Sequence, residues 1–246
     1  MNRVVVARSQ LDAAIIDLDG TLVDTLGDFV AALNLMLEAL ACEPGASALE
    51  GQRVSLTAIE PMVGKGSEHL IASVLQHLLS GRASTKAVQD PRVAALFPVA
   101  MDLYQAHYRA INGRFSTLYP GVQEGMAQLK ASGLKLACLT NKPLAFAQEL
   151  LHAKGLGGYF SHVFGGDSFD RKKPDPLPIL KTCKALGTAP ARTLMVGDSS
   201  NDAEAARAAF CPVVLVTYGY NHGQPIRAVD ADGWVASLAE LARQVA

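Results

Sequence analysis

Apolar and polar positions alternate along the chain on two length scales. Five short runs, Ala13–Asp17, Lys135–Thr140, His162–Phe164, Thr193–Gly197 and Val213–Thr217, are apolar almost throughout. Continuous apolar runs of this length predict strands buried on both faces of a parallel sheet. Each run is followed by a turn signal or a polar residue. Helical patterns lie between them: Gly125–Lys130 with Met126 and Leu129, Pro143–Ala153 with Phe146, Leu150 and Leu151, Asp175–Leu186, and the Ala-rich Asn201–Phe210. Strand, helix and parallel strand in alternation predict an α/β fold with a Rossmann-like sheet core. A final helix is predicted to begin at Trp234, with Leu238 and Leu241 on its packed face.

The stretch after the first run breaks this rhythm. From about Asp24 to about Ser116 the pattern predicts no strand. Phe29, Leu33, Met36, Leu37 and Leu40 recur at helical spacing, as do Leu70, Val74, Leu75, Leu78 and Leu79, and more weakly Leu96, Leu103, His107 and Ile111. The expected organisation is a core made of residues 1–23 and 117–246, with an all-helical domain, 24–116, inserted after the first strand. Glu43–Gln52 and Ser80–Pro91, with their glycines and polar residues, read as loops.

Composition narrows the function classes. Half of the 246 residues are hydrophobic, enough for a sizeable core, and the formal net charge is −1. No basic stripe with interleaved aromatics occurs, which argues against nucleic acid as a partner. No stretch approaches the roughly 18 apolar residues of a membrane span. The longest apolar run, near Ala208–Val216, contains Pro212 and reads as helix end, turn and strand. The first ten residues are too short in apolar run for a signal-peptide core. Cys42, Cys138, Cys183 and Cys211 show no metal-type spacing and read as free thiols of a cytoplasmic protein. The six histidines show no ligand spacing either; His222, in a loop after the last strand, reads as surface or as site mouth.

Four segments carry candidate chemistry. In Ile16-Asp17-Leu18-Asp19-Gly20-Thr21 two carboxylates leave the end of a buried strand, where open parallel sheets bind ligands. Carboxylates there merely to cap a helix would cost stability. In Leu139-Thr140-Asn141-Lys142-Pro143 a hydroxyl at a strand end can meet a phosphate oxygen, or equally cap a helix. In Arg171-Lys172-Lys173-Pro174-Asp175 a lysine near a helix start can neutralise phosphate; alone, the run reads as solvated charge. In Val196-Gly197-Asp198-Ser199-Ser200-Asn201-Asp202 two acids four apart share a helix face and suit a hard cation, or cap the helix. Together, and in this order, these are the parts that phosphoryl transfer needs.

Asp17-Leu18-Asp19-Gly20-Thr21, Thr140, Lys173-Pro174 and Gly197–Asp202 resemble the four motifs of the haloacid dehalogenase superfamily, and the helical insertion resembles its cap. Leu118-Tyr119-Pro120-Gly121-Val122, Thr140-Asn141-Lys142-Pro143, Lys173-Pro174-Asp175-Pro176 and Thr217–Gly223 further resemble its phosphoglycolate phosphatases, and Val63-Gly64-Lys65-Gly66 resembles that group's cap loop. The resemblance implies a phosphatase in carbohydrate metabolism acting on a small phosphorylated metabolite, as a monomer or small homo-oligomer. It implies Asp17 as nucleophile and Asp19 as acid and base. It implies Mg²⁺ on the Asp17 carboxylate, the Asp19 carbonyl and Asp198. Thr140, backbone N–H groups near Asn141, and Lys173 would bind phosphate, and Asp202 would orient Lys173 or a metal-bound water. Gly64, Lys65 and Gly66 would meet substrate from the cap; Lys65 also reads as a solvent-facing loop lysine.

Other readings compete. A sugar phosphate or nucleotide can replace 2-phosphoglycolate as substrate. A dehalogenase of the same superfamily has no need for Asp19. A phosphonatase would use a cap lysine, Lys65, as a Schiff base. A phospho-accepting signalling module also uses Asp, Thr, Lys and Mg²⁺, but with the acceptor after the third strand and no helical insertion.

Overall fold

The structure, a computed structural model, describes residues 6–80 and 90–245. In chain order the elements are β1 (Ala13–Ile16), β2 (Val23–Asp24), α1 (Leu26–Leu40), α2 (Leu56–Ile59), α3 (Ser67–Ser80), α4 (Pro91–Ile111), β3 (Thr117–Leu118) and α5 (Val122–Ala131). There follow β4 (Lys135–Leu139), α6 (Leu144–Ala153), β5 (His162–Phe164), α7 (Leu177–Leu186), β6 (Thr193–Gly197), α8 (Ser200–Ala208), β7 (Val213–Val216), β8 (Gly233–Val235) and α9 (Leu238–Val245). The chain divides into two units, Met1–Asp24 with Thr117–Ala246, and Thr25–Ser116. The central part of the expected 80–91 loop, residues 81–89, lies outside the described residues, as do the first five residues of the N-terminal reading. Among the described residues no helix is long and apolar enough to cross a membrane.

The first unit is built on a six-stranded sheet in the order β5-β4-β1-β6-β7-β8, every neighbouring pair parallel. Successive residues of a strand face opposite sides, and the two cores follow that period. Ala14, Ile16, Leu136, Cys138, Val196 and Val214 pack on one side with Met126 and Leu129 of α5, Leu150 of α6 and Leu241 of α9. Ala13, Ile15, Ala137, Leu139, Met195 and Leu215 pack on the other with Ile179 and Cys183 of α7 and Ala203 and Ala206 of α8. Both faces are covered, which is why these strands read as unbroken apolar runs.

The C-terminal reading needs correction. Trp234 does not begin a helix. It lies in β8, aligned with Leu215, and its Nε1 donates to Ile226 O at 3.2 Å. The helix starts at Leu238, where Glu240 N donates to Ser237 Oγ (3.1 Å) and Ala236 N donates to Glu240 Oε2 (2.7 Å). A short antiparallel ribbon, β2 with β3, was also not predicted; two residues per strand are too few to show a period.

The second unit contains helices and connecting turns and no strand among its described residues. Phe29, Leu33, Met36, Leu37 and Leu40 are buried on α1, as the spacing predicts. On α4 the buried positions are Val93, Leu96, Ala100, Tyr104, Tyr108 and Ile111, with Leu103 and His107 only half-buried. The tyrosine rings fix that register: Tyr104 stacks on Tyr108 (5.5 Å between centroids) and Tyr108 on Phe29 (5.7 Å). On α3 Ile71 joins the buried face, while Leu78 and Leu79 sit at its edge. The wholly buried Asp28 is satisfied by two backbone donors, Gly113 N at 2.8 Å and Phe115 N at 2.7 Å.

Candidate active site

β1 is flanked by β4 and β6, so the chain winds away from it in both directions, and the crevice at such a switch point is where open parallel sheets bind ligands. Asp17 and Asp198 leave the sheet there, at the ends of β1 and β6. Asp17 continues the ladder for one more bond, its N–H donating to Val196 O at 2.9 Å, so its backbone is fixed by the sheet itself.

Asp198 is held from both sides. Thr21 Oγ1 donates to its Oδ1 at 3.1 Å and Tyr220 N donates to its Oδ2 at 2.6 Å. A Cβ at Gly20 would strike Oδ2 of Asp198, and one at Gly219 would strike its Cβ and Oδ2. Gly20 also has φ +85°, a conformation that favours glycine.

Lys173 is the counter-charge. Its Nζ donates to Asp202 Oδ1 (2.7 Å) and Leu139 O (2.9 Å), and forms an ion pair with Asp17 Oδ1 at 2.9 Å. That ion pair aside, Asp17 Oδ1 is a buried acceptor with no hydrogen-bond donor among the described residues. Burial works against the ammonium, but Asp17 and Asp202 overcome it and hold the Lys173 pKa above the usual lysine value. Asn141 sets the lysine in place: its Nδ2 donates to Lys173 O at 2.9 Å and its Oδ1 accepts from Lys173 N at 3.0 Å. Asp202 Oδ2 accepts from Asp198 N, Ser199 N and Ser199 Oγ, so Asp202 both caps α8 and orients Lys173.

Asp17, Asp198 and Asp202 bring carboxylate oxygens within 4.8 Å of one another. Burial pushes Asp17 up to about 7 against the pull of Lys173. Burial, with the charges of Asp202 and Asp17, raises Asp198 well above the usual carboxylate range. Among the described residues three buried carboxylates cluster beside one buried ammonium, which pairs with Asp17 and Asp202, an excess of negative charge. That excess, the donorless Asp17 oxygen and an all-oxygen donor set fit a hard divalent cation.

Asp19 lies apart from this cluster. Its Oδ1 accepts from Lys142 Nζ at 3.0 Å and its Oδ2 at 3.4 Å. Thr140 is buried; its N–H donates to Phe164 O and its Oγ1 accepts from Lys142 N at 3.3 Å, so it shapes the turn after β4. The helix-cap reading of Thr140 does not hold, because Pro143 precedes α6 and Leu144 N donates to Asp167 Oδ1. Lys173 is no solvated charge; its side chain is 2% exposed. Gly64, Lys65 and Gly66 form the turn before α3 in the helical unit, with Lys65 exposed. His222 is half-buried, its Nε2 3.2 Å from Asn201 Nδ2. Lys142, Thr21 and Tyr220 are the site residues that sequence reasoning missed. The signal for Lys142 was its place directly after Thr140-Asn141 at a buried strand end.

A buried carboxylate at a strand end, a buried lysine and an acidic cluster at the switch point of a parallel sheet fit the needs of phosphoryl transfer. The haloacid dehalogenase-like hydrolase family profile matches residues 11–209, and the chain belongs to that family. It is 42% identical to a phosphoglycolate phosphatase of Thiobacillus denitrificans over 96% of each chain. It is also 42% identical to a plasmid-encoded phosphoglycolate phosphatase of Cupriavidus necator, over 93% of this chain and 90% of that one. Among solved structures, a predicted phosphoglycolate phosphatase from Haemophilus somnus superposes with a TM-score of 0.82 at 31% identity, covering 95% of this chain and 97% of the other.

Proposed function

We propose that the protein hydrolyses 2-phosphoglycolate to glycolate and phosphate in the cytoplasm, with Mg²⁺ as cofactor and through a phospho-aspartate on Asp17. The observation that carries this reading is the buried Asp17 Oδ1, without a hydrogen-bond donor and 2.9 Å from an ammonium. An oxygen so placed is fixed in position yet keeps its lone pairs for phosphorus. The identity to phosphatases of that name over almost the whole chain supports the choice of substrate.

The roles follow from the side chains. Asp17 forms a bond to phosphorus as the ester P–O bond breaks, and Asp19 gives its proton to the departing oxygen. Water then attacks phosphorus, its proton passes to Asp19, and Asp17 is released. Lys173, oriented by Asp202, offsets the charge of the Asp17 carboxylate, while Thr140 and the backbone N–H of Asn141 meet the phosphoryl oxygens. Asp17 and Asp198, with the Asp19 carbonyl, would hold Mg²⁺, whose charge lets an anionic nucleophile approach an anionic ester. On this reading residues 24–116 act as the cap, and Gly64, Lys65 and Gly66 supply its contact with the glycolate portion.

Measuring kcat/KM with Mg²⁺ across 2-phosphoglycolate, sugar phosphates, nucleotides and pyrophosphate tests the substrate. The glycolate ester is expected to lead by about tenfold or more; a different leader would overturn the substrate but not the chemistry. Asp17→Asn is expected to lower kcat by at least about 10³-fold with the fold intact. Retained turnover would remove Asp17 as nucleophile.

A further inference from the structure

Lys142 is a buried ammonium that the proposed mechanism leaves without a task. Its side chain is 3% exposed, and it reaches the carboxylate of Asp19, itself 11% exposed. The lysine is delivered from a rigid turn: its N–H donates to Thr140 Oγ1 at 3.3 Å, and its carbonyl accepts from Gly166 N at 2.8 Å. A side chain at Gly165 would run into that carbonyl and into Leu144 N, so the loop after β5 is pressed against the same turn. The contact is lopsided, 3.0 Å to Asp19 Oδ1 and 3.4 Å to Oδ2, which fixes the direction of the carboxyl plane as well as its place.

Three carboxylates, Asp17, Asp198 and Asp202, cluster together, two of them paired with Lys173, while Asp19 is held separately by its own lysine. A buried ion pair is weak support for folding stability, since a well-packed apolar pair can do as well. Its worth here is orientation. An acid that must hand a proton to one particular ester oxygen loses its effect when its carboxyl turns away.

We infer that Lys142 is a positioning residue for the reaction: it holds the Asp19 carboxyl at the leaving-group oxygen and away from the carboxylate cluster. This rests on Asp19 acting as the leaving-group acid. When the ester bond breaks, its electron pair stays on the departing oxygen and the Asp19 proton goes to that same oxygen. An alkyl leaving group needs that proton. A nitrophenolate does not.

The experiment compares 2-phosphoglycolate with p-nitrophenyl phosphate. Lys142→Met is expected to lower kcat for the alkyl ester by about 10²-fold, the usual worth of a placed acid, and for the aryl ester by no more than about threefold. KM is expected to hold for both, and Lys142→Arg to recover part of the alkyl-ester loss. Equal losses on both substrates would overturn the inference, because they assign Lys142 to phosphate binding or to general integrity of the site. No loss on either overturns it too. Should Lys142→Met not fold, Lys142→Gln, which keeps a donor but no charge, carries the same comparison. Asp19→Asn, run in parallel, separates the two readings. If it loses no more on the alkyl ester than on the aryl ester, the acid assignment itself has failed. If it shows the preference and the Lys142 variants do not, only the positioning role has.

Discussion

Gly219→Ala is the sharpest probe of how Asp198 is held. The backbone at Gly219 is not left-handed, so alanine meets no conformational strain there, and the change alone is worth about 0.4–1 kcal/mol in favour of folding through the unfolded chain. Against that stands a methyl group overlapping Asp198 Cβ and Oδ2 and crowding Gly20 O. Relief requires Asp198 to move by on the order of an ångström, and overpacking of this kind costs about 1–3 kcal/mol. The crowding wins, for a net loss of about 1–2 kcal/mol, or roughly 2–8 °C in Tm. The functional loss is larger, because the bond from Tyr220 N to Asp198 Oδ2 lies beside the intruding methyl. A displacement of that size is worth about 10² in rate. Urea denaturation followed by circular dichroism reads the first effect. A Mg²⁺ titration of kcat reads the second, with half-saturation expected to rise. Wild-type turnover and Mg²⁺ half-saturation in a destabilised Gly219→Ala protein would show that the placement of Asp198 is immaterial to the reaction. Gly20→Ala is the companion: the same collision plus a left-handed backbone, costing about 1–2 kcal/mol more.

Adding Mg²⁺ to chelator-treated protein is expected to raise Tm, since a ligand at a hundred times its Kd stabilises by about 2.7 kcal/mol; differential scanning fluorimetry reads it, and an undiminished rise in Asp198→Asn would place the ion elsewhere. Asp28→Ala removes the acceptor of Gly113 N and Phe115 N in the helical unit and is expected to cost about 2–4 kcal/mol. Asp28→Asn, which keeps one acceptor oxygen, is expected to cost less. Equal denaturation midpoints for wild type and Asp28→Ala would refute that account.

Much of the sheet was legible because strands covered on both faces need no period, only apolar residues between turns. His162–Phe164 and Thr193–Gly197 match their predicted bounds, and Asp17, Thr140 and Thr217 fall one residue beyond theirs while still donating along the ladder. The edge strand at Trp234 was not legible, since three residues at a sheet edge carry no run to recognise. The helix start behind it was missed with it: the pattern begins the helix at Trp234, whereas it begins at Leu238, after Ser237, whose Oγ accepts from Glu240 N. In α4 the leucine spacing pointed to Leu103 and His107, but two tyrosine rings took the interior instead. The acids converging beside Lys173 were readable from their strand ends. The burial of Lys142 was not: a lysine next to a proline reads as solvent-facing until the turn around it and the loop at Gly165 close over its backbone.

The ribbon of β2 and β3 has a consequence for how such proteins diversify. Val23 faces Leu118 and Asp24 faces Thr117, so the sheet-bearing unit releases the chain and takes it back at partnered residues. Partnered strands lie only about 5 Å apart, and any segment whose two ends approach that closely can be spliced between them without disturbing a single bond of the main sheet. The inserted unit can thus be replaced as a cassette while the acids and lysines at the strand ends stay where they are.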